Sequence, residues 1–199
     1  MTGPAPPAAA RAVLDFWFLP PGAPGHGAYR TEWFRKDPAF DAAIRGRFRN
    51  DVEAALAGER DDWNAGGEGC LALILLLDQF TRNIFRDTPR AFAGDAKALT
   101  LAGGAIADGR DRALSPLRRW FLYLPFMHSE SLPVQERCVA LFRGLREEGG
   151  TAFDSPLDYA VRHRDVIARF GRFPHRNGIL GRPSTREEIE FLSLPGSSF

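Results

Sequence analysis

Lysines, cysteines and long apolar runs are all scarce in this 199-residue chain, and each shortage excludes certain classes of protein. Lys36 and Lys97 are the only lysines, and acidic residues almost balance the arginines, so the formal net charge is +1. This balance gives no reason to expect nucleic acid or an anionic membrane as a partner. Cys70 and Cys138 both stand among apolar residues, which predicts buried thiols in a reducing compartment.

Segments that would direct the chain to a membrane are also missing from the sequence. Its first ten residues have neither the basic start nor the apolar stretch of a signal peptide. The longest apolar run is far shorter than the ~20 residues that a membrane span needs. We therefore expect a soluble cytoplasmic protein with a single helical domain over residues 1–199, disordered at residues 1–7 and 195–199.

Catalytic and cofactor motifs are absent as well. The sequence has no glycine-rich phosphate loop, no dinucleotide fingerprint and no Gly-x-Ser-x-Gly elbow for a serine nucleophile. A metal site could be assembled from Asp78, His128, Glu130, His163 and His175, but their spacing matches no zinc motif. We predict no metal and no cofactor, and a metal-dependent hydrolase is only a minor alternative.

Helix signals, in contrast, run through the whole sequence. After Asp37-Pro38 an apolar residue recurs at every fourth position, at Phe40, Ile44, Phe48, Val52 and Leu56, and Gly58 follows. Five predicted helices begin with a cap or turn residue followed by proline, and several end at glycine. No segment has the pattern of a strand. The sequence therefore predicts an all-α fold of about seven helices in antiparallel hairpins.

The most informative stretch runs from residue 71 to residue 86. Seven apolar residues come first, and the polar residues that follow share one side of a helix: Asp78, Gln79, Arg82, Asn83 and Arg86. Because the apolar half indicates a buried helix, these polar groups must be satisfied internally or bind a ligand. Asp78 and Arg82 are either a simple ion pair or a pair in which Asp78 orients the arginine toward a ligand.

The sequence also predicts three helix boundaries. The helix that contains Asp78 is expected to end near Thr88-Pro89, where the next helix begins. Pro125 is expected to interrupt the helix that begins at Ser115-Pro116 and to leave a bend or loop after it. The run Ser184-Thr185-Arg186-Glu187 matches a capping box at the start of a short last helix.

Two further polar clusters follow in the chain. His128 and Glu130 come just after Pro125, where His128 could be a general acid or base and Glu130 its orienting partner, although capping of the next helix is an alternative. The third cluster comprises His163, Arg172, His175, Arg176 and Asn177. A loop this basic suits an anion clamp, and an ordinary surface loop is the alternative.

Four motifs together resemble a bacterial family, the domain of unknown function 924 family. They are Asp15-Phe16-Trp17-Phe18, the run 76–83 with Asp78-Gln79, the run 123–130 with Gln135, and the run 169–177. The resemblance covers about residues 12–193, and Thr81 stands where the family pattern has proline. It implies an all-helical, tetratricopeptide-like, right-handed helical array. The family brings no established activity, so the resemblance leaves the function open.

We expect the three clusters to converge on one polar pocket for a small anionic ligand, a carboxylate or a phosphate. In this hypothesis Arg82, Arg172 and Arg176 hold the anion, and Gln79 and Asn83 orient it. His128 or His175 would move a proton, with His163 and Asn177 also facing the ligand. The alternatives are a tetratricopeptide-like scaffold for a peptide or protein partner and a purely structural role for every cluster.

Overall fold

Helices account for all the regular structure in the part of the chain that the computed structural model describes, residues 4–197. No strand occurs in that range, which confirms the all-α prediction. The chain divides into two compact units, one formed by residues 4–86 and 90–125 and the other by residues 87–89 and 126–197. The predicted single domain and tetratricopeptide-like array stay predictions. Of the predicted disordered ends, residues 1–3, 198 and 199 lie outside the described range.

The first unit contains six α-helices and one π-helical segment. They are α1 (Ala8–Phe18), α2 (Pro38–Ala57), α3 (Gly67–Ile74), the π-helical segment (Leu75–Phe80), α4 (Thr81–Ile84), α5 (Asp95–Ala107) and α6 (Pro116–Met127), whose last two residues belong to the second unit. Short 3₁₀ turns join several of them. Within residues 4–197, none of the helices has the length and the apolar composition of a membrane span.

Helix α2 begins and ends where its sequence signals predict. The Asp37 carboxylate accepts hydrogen bonds from the backbone N–H groups of Ala39 (2.9 Å) and Phe40 (3.1 Å), and Pro38 occupies the first turn. At the other end Gly58 takes a left-handed conformation with φ of 89°.

The continuous helix of residues 67–84 forms the core of the first unit. Residues 69–81 are all buried, as the apolar run predicts, and α1, α2 and α5 pack around them. The helix ends at Ile84 rather than near Thr88, because the backbone of Phe85 already leaves the helical region with φ of −111° and ψ of 28°, and Asp87 then adopts a left-handed φ of 61°. A 3₁₀ turn occupies Pro89–Phe92, where the next helix was predicted to begin, and the α-helix itself begins at Asp95.

Gly94 brings α5 unusually close to this central helix. A Cβ atom at Gly94 would lie only 2.2 Å from the carbonyl oxygen of Leu77, so no other residue fits this approach. The residue after Gly94 is Asp95, which thereby reaches a side chain of the central helix described below.

Pro125 does not interrupt helix α6, contrary to the sequence-based prediction. The helix continues through it to Met127. A proline deprives the carbonyl four residues earlier of its hydrogen bond. Here that loss falls in the last turn, where helix hydrogen bonds are already incomplete, so the helix persists for two more residues.

The second unit is built on two packed helices, α7 (Leu132–Gly149) and α8 (Asp154–Phe170), joined by a 3₁₀ turn. A 3₁₀ turn at Pro174–Arg176 and helix α9 (Arg186–Leu192) follow. The capping box of α9 is one residue later than predicted: Thr185 and Glu188 form it, not Ser184 and Glu187.

Replacing the cap of α2 tests the helix boundary. We expect Asp37→Ala to lower the free energy of unfolding by about 1 kcal/mol, because two backbone N–H groups lose their acceptor. Asp37→Asn is the matched control and should change it little, since asparagine caps as well as aspartate. Urea denaturation measures both, and equal losses in the two variants would contradict the capping role.

Candidate functional site

The predicted site residues are divided between the two units. Asp78, Gln79, Arg82 and Asn83 lie in the first unit. The others lie in the second: His128, Glu130, His163, Arg172, His175, Arg176 and Asn177. Convergence of all three clusters on one pocket stays a prediction, and each unit is described by itself.

Asp78 is the most buried charged residue of the first cluster, with no exposed surface. The Gln79 side-chain amide donates to Asp78 Oδ2 at 2.7 Å, and Arg82 Nη1 donates to Asp78 Oδ1 at 3.2 Å and to its backbone oxygen at 2.6 Å. Asp78 and Gln79 belong to the π-helical segment. Such segments are uncommon and are frequently found at functional sites.

Arg82 forms ion pairs with both Asp78 and Asp95. Its guanidinium donates to both oxygens of the Asp95 carboxylate, at 2.8 and 3.0 Å. Burial alone would lower the pKa of Arg82, but Asp78 and then Asp95 outweigh burial, so the net shift is upward. Asp78 and Arg82 form the i, i+4 ion pair of the simpler interpretation, and orientation of the arginine toward a ligand stays a prediction. The guanidinium binds the Asp95 carboxylate of the same unit, and no pattern in the sequence indicated Asp95 as its partner.

Asn83 and Arg86 also have an internal partner. The Asp41 carboxylate accepts from Asn83 Nδ2 at 2.7 Å and from Arg86 Nε and Nη2 at 2.9 and 2.8 Å. Sequence reasoning missed Asp41, although a signal was present. Asp41 shares the buried side of α2 with Ile44, three residues later, and an acidic residue on an apolar stripe needs a partner.

The side chain of Phe173 has no exposed surface and lies at the centre of the polar side chains of the second unit. Its ring centroid lies 5.5 Å from the ring of His163 and 5.5 Å from that of His175. The Arg176 guanidinium lies over the same ring at 4.6 Å. Three of the predicted site residues are therefore gathered around one buried aromatic side chain.

Glu130 and Arg182 hold the backbone of Phe173 in place. Glu130 accepts from the Phe173 N–H at 2.8 Å and from two nitrogens of Arg182 at 2.7 and 3.0 Å. Arg182 also donates to the carbonyl oxygen of Phe173 at 3.1 Å and to the Asn177 side-chain oxygen at 3.0 Å. Glu130 thus links the second and third clusters, and Arg182 is a site residue that sequence reasoning missed.

The turn that carries His128 is fixed from inside by Gln135. The buried Gln135 amide nitrogen donates to the carbonyl oxygens of Met127 and Ser129, both at 2.7 Å. These carbonyls flank His128, so Gln135 determines the backbone geometry of that residue.

Burial keeps two histidines of this group neutral near pH 7. The pKa of His163 is lowered to about 3, chiefly by burial and to a smaller extent by His128, His175 and Arg176, although a hydrogen bond to Tyr159 opposes the shift. Burial likewise lowers the pKa of His175 to about 4, with Arg176 as the next cause. The Tyr159 carbonyl oxygen lies 2.7 Å from His163 Nδ1. A carbonyl can only accept, so that nitrogen carries the proton.

Arg172 and Asn177 are engaged with the capping residue of α9. Arg172 donates to both oxygens of Glu188 at 2.6 and 2.8 Å and to the carbonyl oxygen of Pro183 at 2.9 Å. The bond from Arg172 lowers the pKa of Glu188 to about 2. Asn177 Nδ2 donates to Ser184 at 3.1 Å and to Glu188 at 3.3 Å.

No group of three histidine, cysteine, aspartate or glutamate side chains within residues 4–197 is placed to hold a metal ion. The five residues considered for a metal site are therefore not gathered into one. The arrangement in the second unit is instead a set of basic side chains around Phe173 with one paired carboxylate, Glu130, beside them.

Comparison with known proteins supports the family but brings no activity. The sequence profile described as "Bacterial protein of unknown function (DUF924)" matches residues 13–196. A solved structure of a protein of unknown function from Agrobacterium tumefaciens is 43% identical in sequence and has a TM-score of 0.80, covering 94% of this chain and 97% of that chain. No curated protein matches at a significant level. The resemblance carried by the four sequence motifs is confirmed.

Removing Arg82 tests whether the first cluster holds the fold together. We expect Arg82→Gln to lower the free energy of unfolding by ~3–5 kcal/mol, because the fully buried Asp78 loses a charged donor. Arg146→Gln is the control, since its pair with Asp154 is about half exposed and contributes at most about 1 kcal/mol. Urea denaturation measures both, and a similar small loss in the two variants would show that the pair is not structural.

The neutral histidines predict a loss of stability in mild acid. The unfolded chain binds protons at histidine below about pH 6.5, whereas the folded chain keeps His163 neutral to about pH 3. Stability should therefore fall between these two pH values, by ~2 kcal/mol for one such histidine from pH 7.5 to pH 5.

His163→Gln should reduce this fall in stability by that amount. His26→Gln, which removes an exposed histidine of the first unit, should leave the fall unchanged. Denaturant midpoints at the two pH values measure the effect. The same pH dependence in both variants would contradict a neutral His163.

Proposed function

We propose a function for this chain, which belongs to the DUF924 family of bacterial proteins of unknown function. It binds a small anion, a carboxylate or a phosphate, at the basic group around Phe173. The proposal concerns binding, and no reaction is assigned. It rests on one observation above all. His163, His175 and Arg176 are all packed on the ring of Phe173 inside the second unit.

Basic groups held this close together favour a negative charge among them. Arg176 remains charged at any physiological pH, and its charge is one reason why His175 loses its proton. The carboxylate that acts on this group from nearby, Glu130, is already in a bidentate pair with Arg182. An anion that entered would lower the energy of the charged form of each imidazole as well as pair with Arg176.

Two of the three arginines suggested for the anion have carboxylate partners within the protein. Arg82 and Arg172 each bind both oxygens of a carboxylate of their own unit, Asp95 and Glu188, and we propose that they stabilise the fold. Arg176 is then the anion-binding arginine. His128 and His175 are the residues that would exchange a proton with the ligand.

A reducing, cytoplasmic compartment is the second part of the proposal. Cys70 and Cys138 are both free and buried. Burial raises the pKa of the Cys70 thiol to about 11 and raises that of Cys138 as well, so neither is a reactive thiolate. Unreactive thiols of this kind are typical of proteins that do not rely on disulfides.

A thermal-shift screen with sulfate, phosphate and succinate tests the anion site. A ligand at about one hundred times its dissociation constant should stabilise by ~2.7 kcal/mol, which raises the melting temperature of a chain of this size by about 5–10 °C. Arg176→Gln should abolish the shift. Arg169→Gln is the matched control, because it removes the same charge from an exposed ion pair of the same unit.

Two further variants serve as controls for the thermal-shift test. Arg176→Lys retains the charge, so it should keep part of the shift if the glutamine variant is too unstable to measure. Arg82→Gln should keep the full shift. A shift that survives Arg176→Gln, or that disappears in Arg82→Gln instead, would contradict the site around Phe173.

Binding of sulfate, whose own charge does not change between pH 5.5 and 7.5, should be linked to protons. If one imidazole regains its ordinary pKa of about 6.5 in the complex, the affinity rises about tenfold from pH 7.5 to pH 5.5. Calorimetry at the two pH values measures this ratio. His175→Gln should reduce it, and an affinity independent of pH in the unmodified protein would argue against proton uptake.

A further inference from the structure

The carboxylate of Asp111, in the first unit, differs from the other buried carboxylates of the protein. Within residues 4–197 three other acidic residues are buried, and each binds an arginine: Asp41, Asp78 and Glu188. Asp111 is 5% exposed and forms no ion pair in that range. The Tyr123 hydroxyl donates to its Oδ2 at 2.6 Å. The other oxygen, Oδ1, is buried and has no hydrogen-bond partner in the described part of the chain.

Arginines close to Asp111 in the sequence are bound to other carboxylates. Arg110 donates to Asp108 at 3.1 and 3.2 Å, and Arg118 pairs with Glu68. Neither guanidinium neutralises Asp111, although the chain places basic residues on both sides of it. A buried carboxylate without a cation is costly in free energy, so this position lacks a partner that the other three buried carboxylates have.

The hydroxyl of Tyr123 cannot balance this charge, because it stays neutral. Burial raises the pKa of the hydroxyl, and the hydrogen bond to Asp111 raises it further, whereas Arg119 partly opposes both effects. The hydroxyl therefore keeps its proton near pH 7 and donates it to Oδ2. It fixes the direction of the carboxylate and leaves the negative charge, with Oδ1, for another group.

The turn that carries Asp111 is packed firmly and lies at the edge of the first unit. The backbone N–H of the buried Leu114 donates to the Asp111 carbonyl oxygen at 2.9 Å. A Cβ atom at Gly67 would lie only 2.8 Å from the carbonyl oxygen of Arg110, so α3 packs directly against the turn. The next residue, Arg112, is exposed. Oδ1 is thus an acceptor held in place one residue away from solvent.

We propose that Asp111 binds the protonated primary amino group of a small ligand. An ammonium N–H would donate to Oδ1 and supply the positive charge that the carboxylate lacks, and such charge-assisted hydrogen bonds are about twice as strong as neutral ones. Tyr123 occupies Oδ2, so one oxygen remains. That favours a compact ammonium over a guanidinium, whose two parallel donors match both oxygens of a carboxylate.

A water molecule or a metal ion fits Asp111 less well than an ammonium. Water would satisfy the hydrogen bond of Oδ1 but leave the buried charge without a cation. A hard metal ion takes six or more oxygen ligands, and within residues 4–197 no three acidic, histidine or cysteine side chains are placed to hold one. The proposal is independent of the anion site around Phe173, because it concerns the other unit and a ligand group of opposite charge.

A thermal-shift titration of the full chain with methylammonium and ethanolamine at constant ionic strength tests the site. Both amines should give a saturable rise in melting temperature. Tetramethylammonium, which has the same charge but no N–H, should not. Asp111→Asn should weaken both amines at least about tenfold, because it removes the negative charge. Asp108→Asn is the matched control: it removes the same charge from an exposed carboxylate of the same segment and should change the affinity less than about twofold.

Stability without any amine gives a second measurement. Asp111→Asn should raise the melting temperature or leave it unchanged, because it removes a buried charge that has no cation. Asp41→Asn should lower the melting temperature, since Arg86 loses its carboxylate partner.

Four results would overturn the proposal. In the unmodified protein, they are no saturable shift with either amine, in which case water satisfies Oδ1, or an equal shift with tetramethylammonium. Among the variants, they are equal weakening by Asp108→Asn and Asp111→Asn, or a loss of stability in Asp111→Asn as large as that in Asp41→Asn. The comparison of the amines with tetramethylammonium needs no variant, so it decides the question even if Asp111→Asn does not fold.

Discussion

A charge that is buried in a helical core must be paired where it lies, and this constraint shapes both units of the protein. Asp78 has no contact with solvent, and Arg82 and Gln79 both donate to its carboxylate. In the second unit Glu130 and Arg182 pair around the backbone of Phe173. Asp78 without its partners would be an unpaired buried carboxylate, which is strongly destabilising, whereas Glu130 is partly exposed and would lose less without Arg182.

The same constraint explains why two helices lie where they do. Asp95 reaches Arg82 only because α5 approaches the central helix at Gly94, where a Cβ atom would overlap the Leu77 carbonyl. In the second unit, the start of α9 is fixed by Glu188, which caps the helix and also accepts from Arg172. The positions of α5 and α9 and the ion pairs of their charged side chains therefore depend on each other.

Much of the fold could be predicted from the sequence because its signals are local. Asp37, Pro38 and Gly58 define α2 through hydrogen bonds and dihedral angles of neighbouring residues, which a sequence displays directly. The prediction for the start of α9 was wrong because two neighbouring residues compete for the same role. Ser184 and Thr185 both fit a capping box, and Thr185 forms it because its partner Glu188 is also bound by a distant arginine.

The polar residues of the candidate site could be predicted one by one, but their partners could not. Asp78 and Arg82 stand out because they interrupt an apolar helix. Their third partner, Asp95, is 13 residues further along the chain, and Arg182 is 52 residues from Glu130. Such pairs depend on how helices pack, and one sequence carries no direct record of that packing. Asp41 is an intermediate case, since its position on an apolar stripe at least indicated that a partner was needed.

Arginines that look alike in the sequence therefore have different roles in the structure. Those bound to a buried carboxylate, such as Arg82 and Arg172, use their charge within the fold. Arg176 lies on an aromatic ring beside imidazoles that its own charge helps to keep neutral. In the function proposed above, anion binding and proton uptake are coupled, because a negative charge beside the imidazoles raises their pKa. The Glu130–Arg182 pair holds the backbone of Phe173, and both imidazoles pack on the ring of that residue.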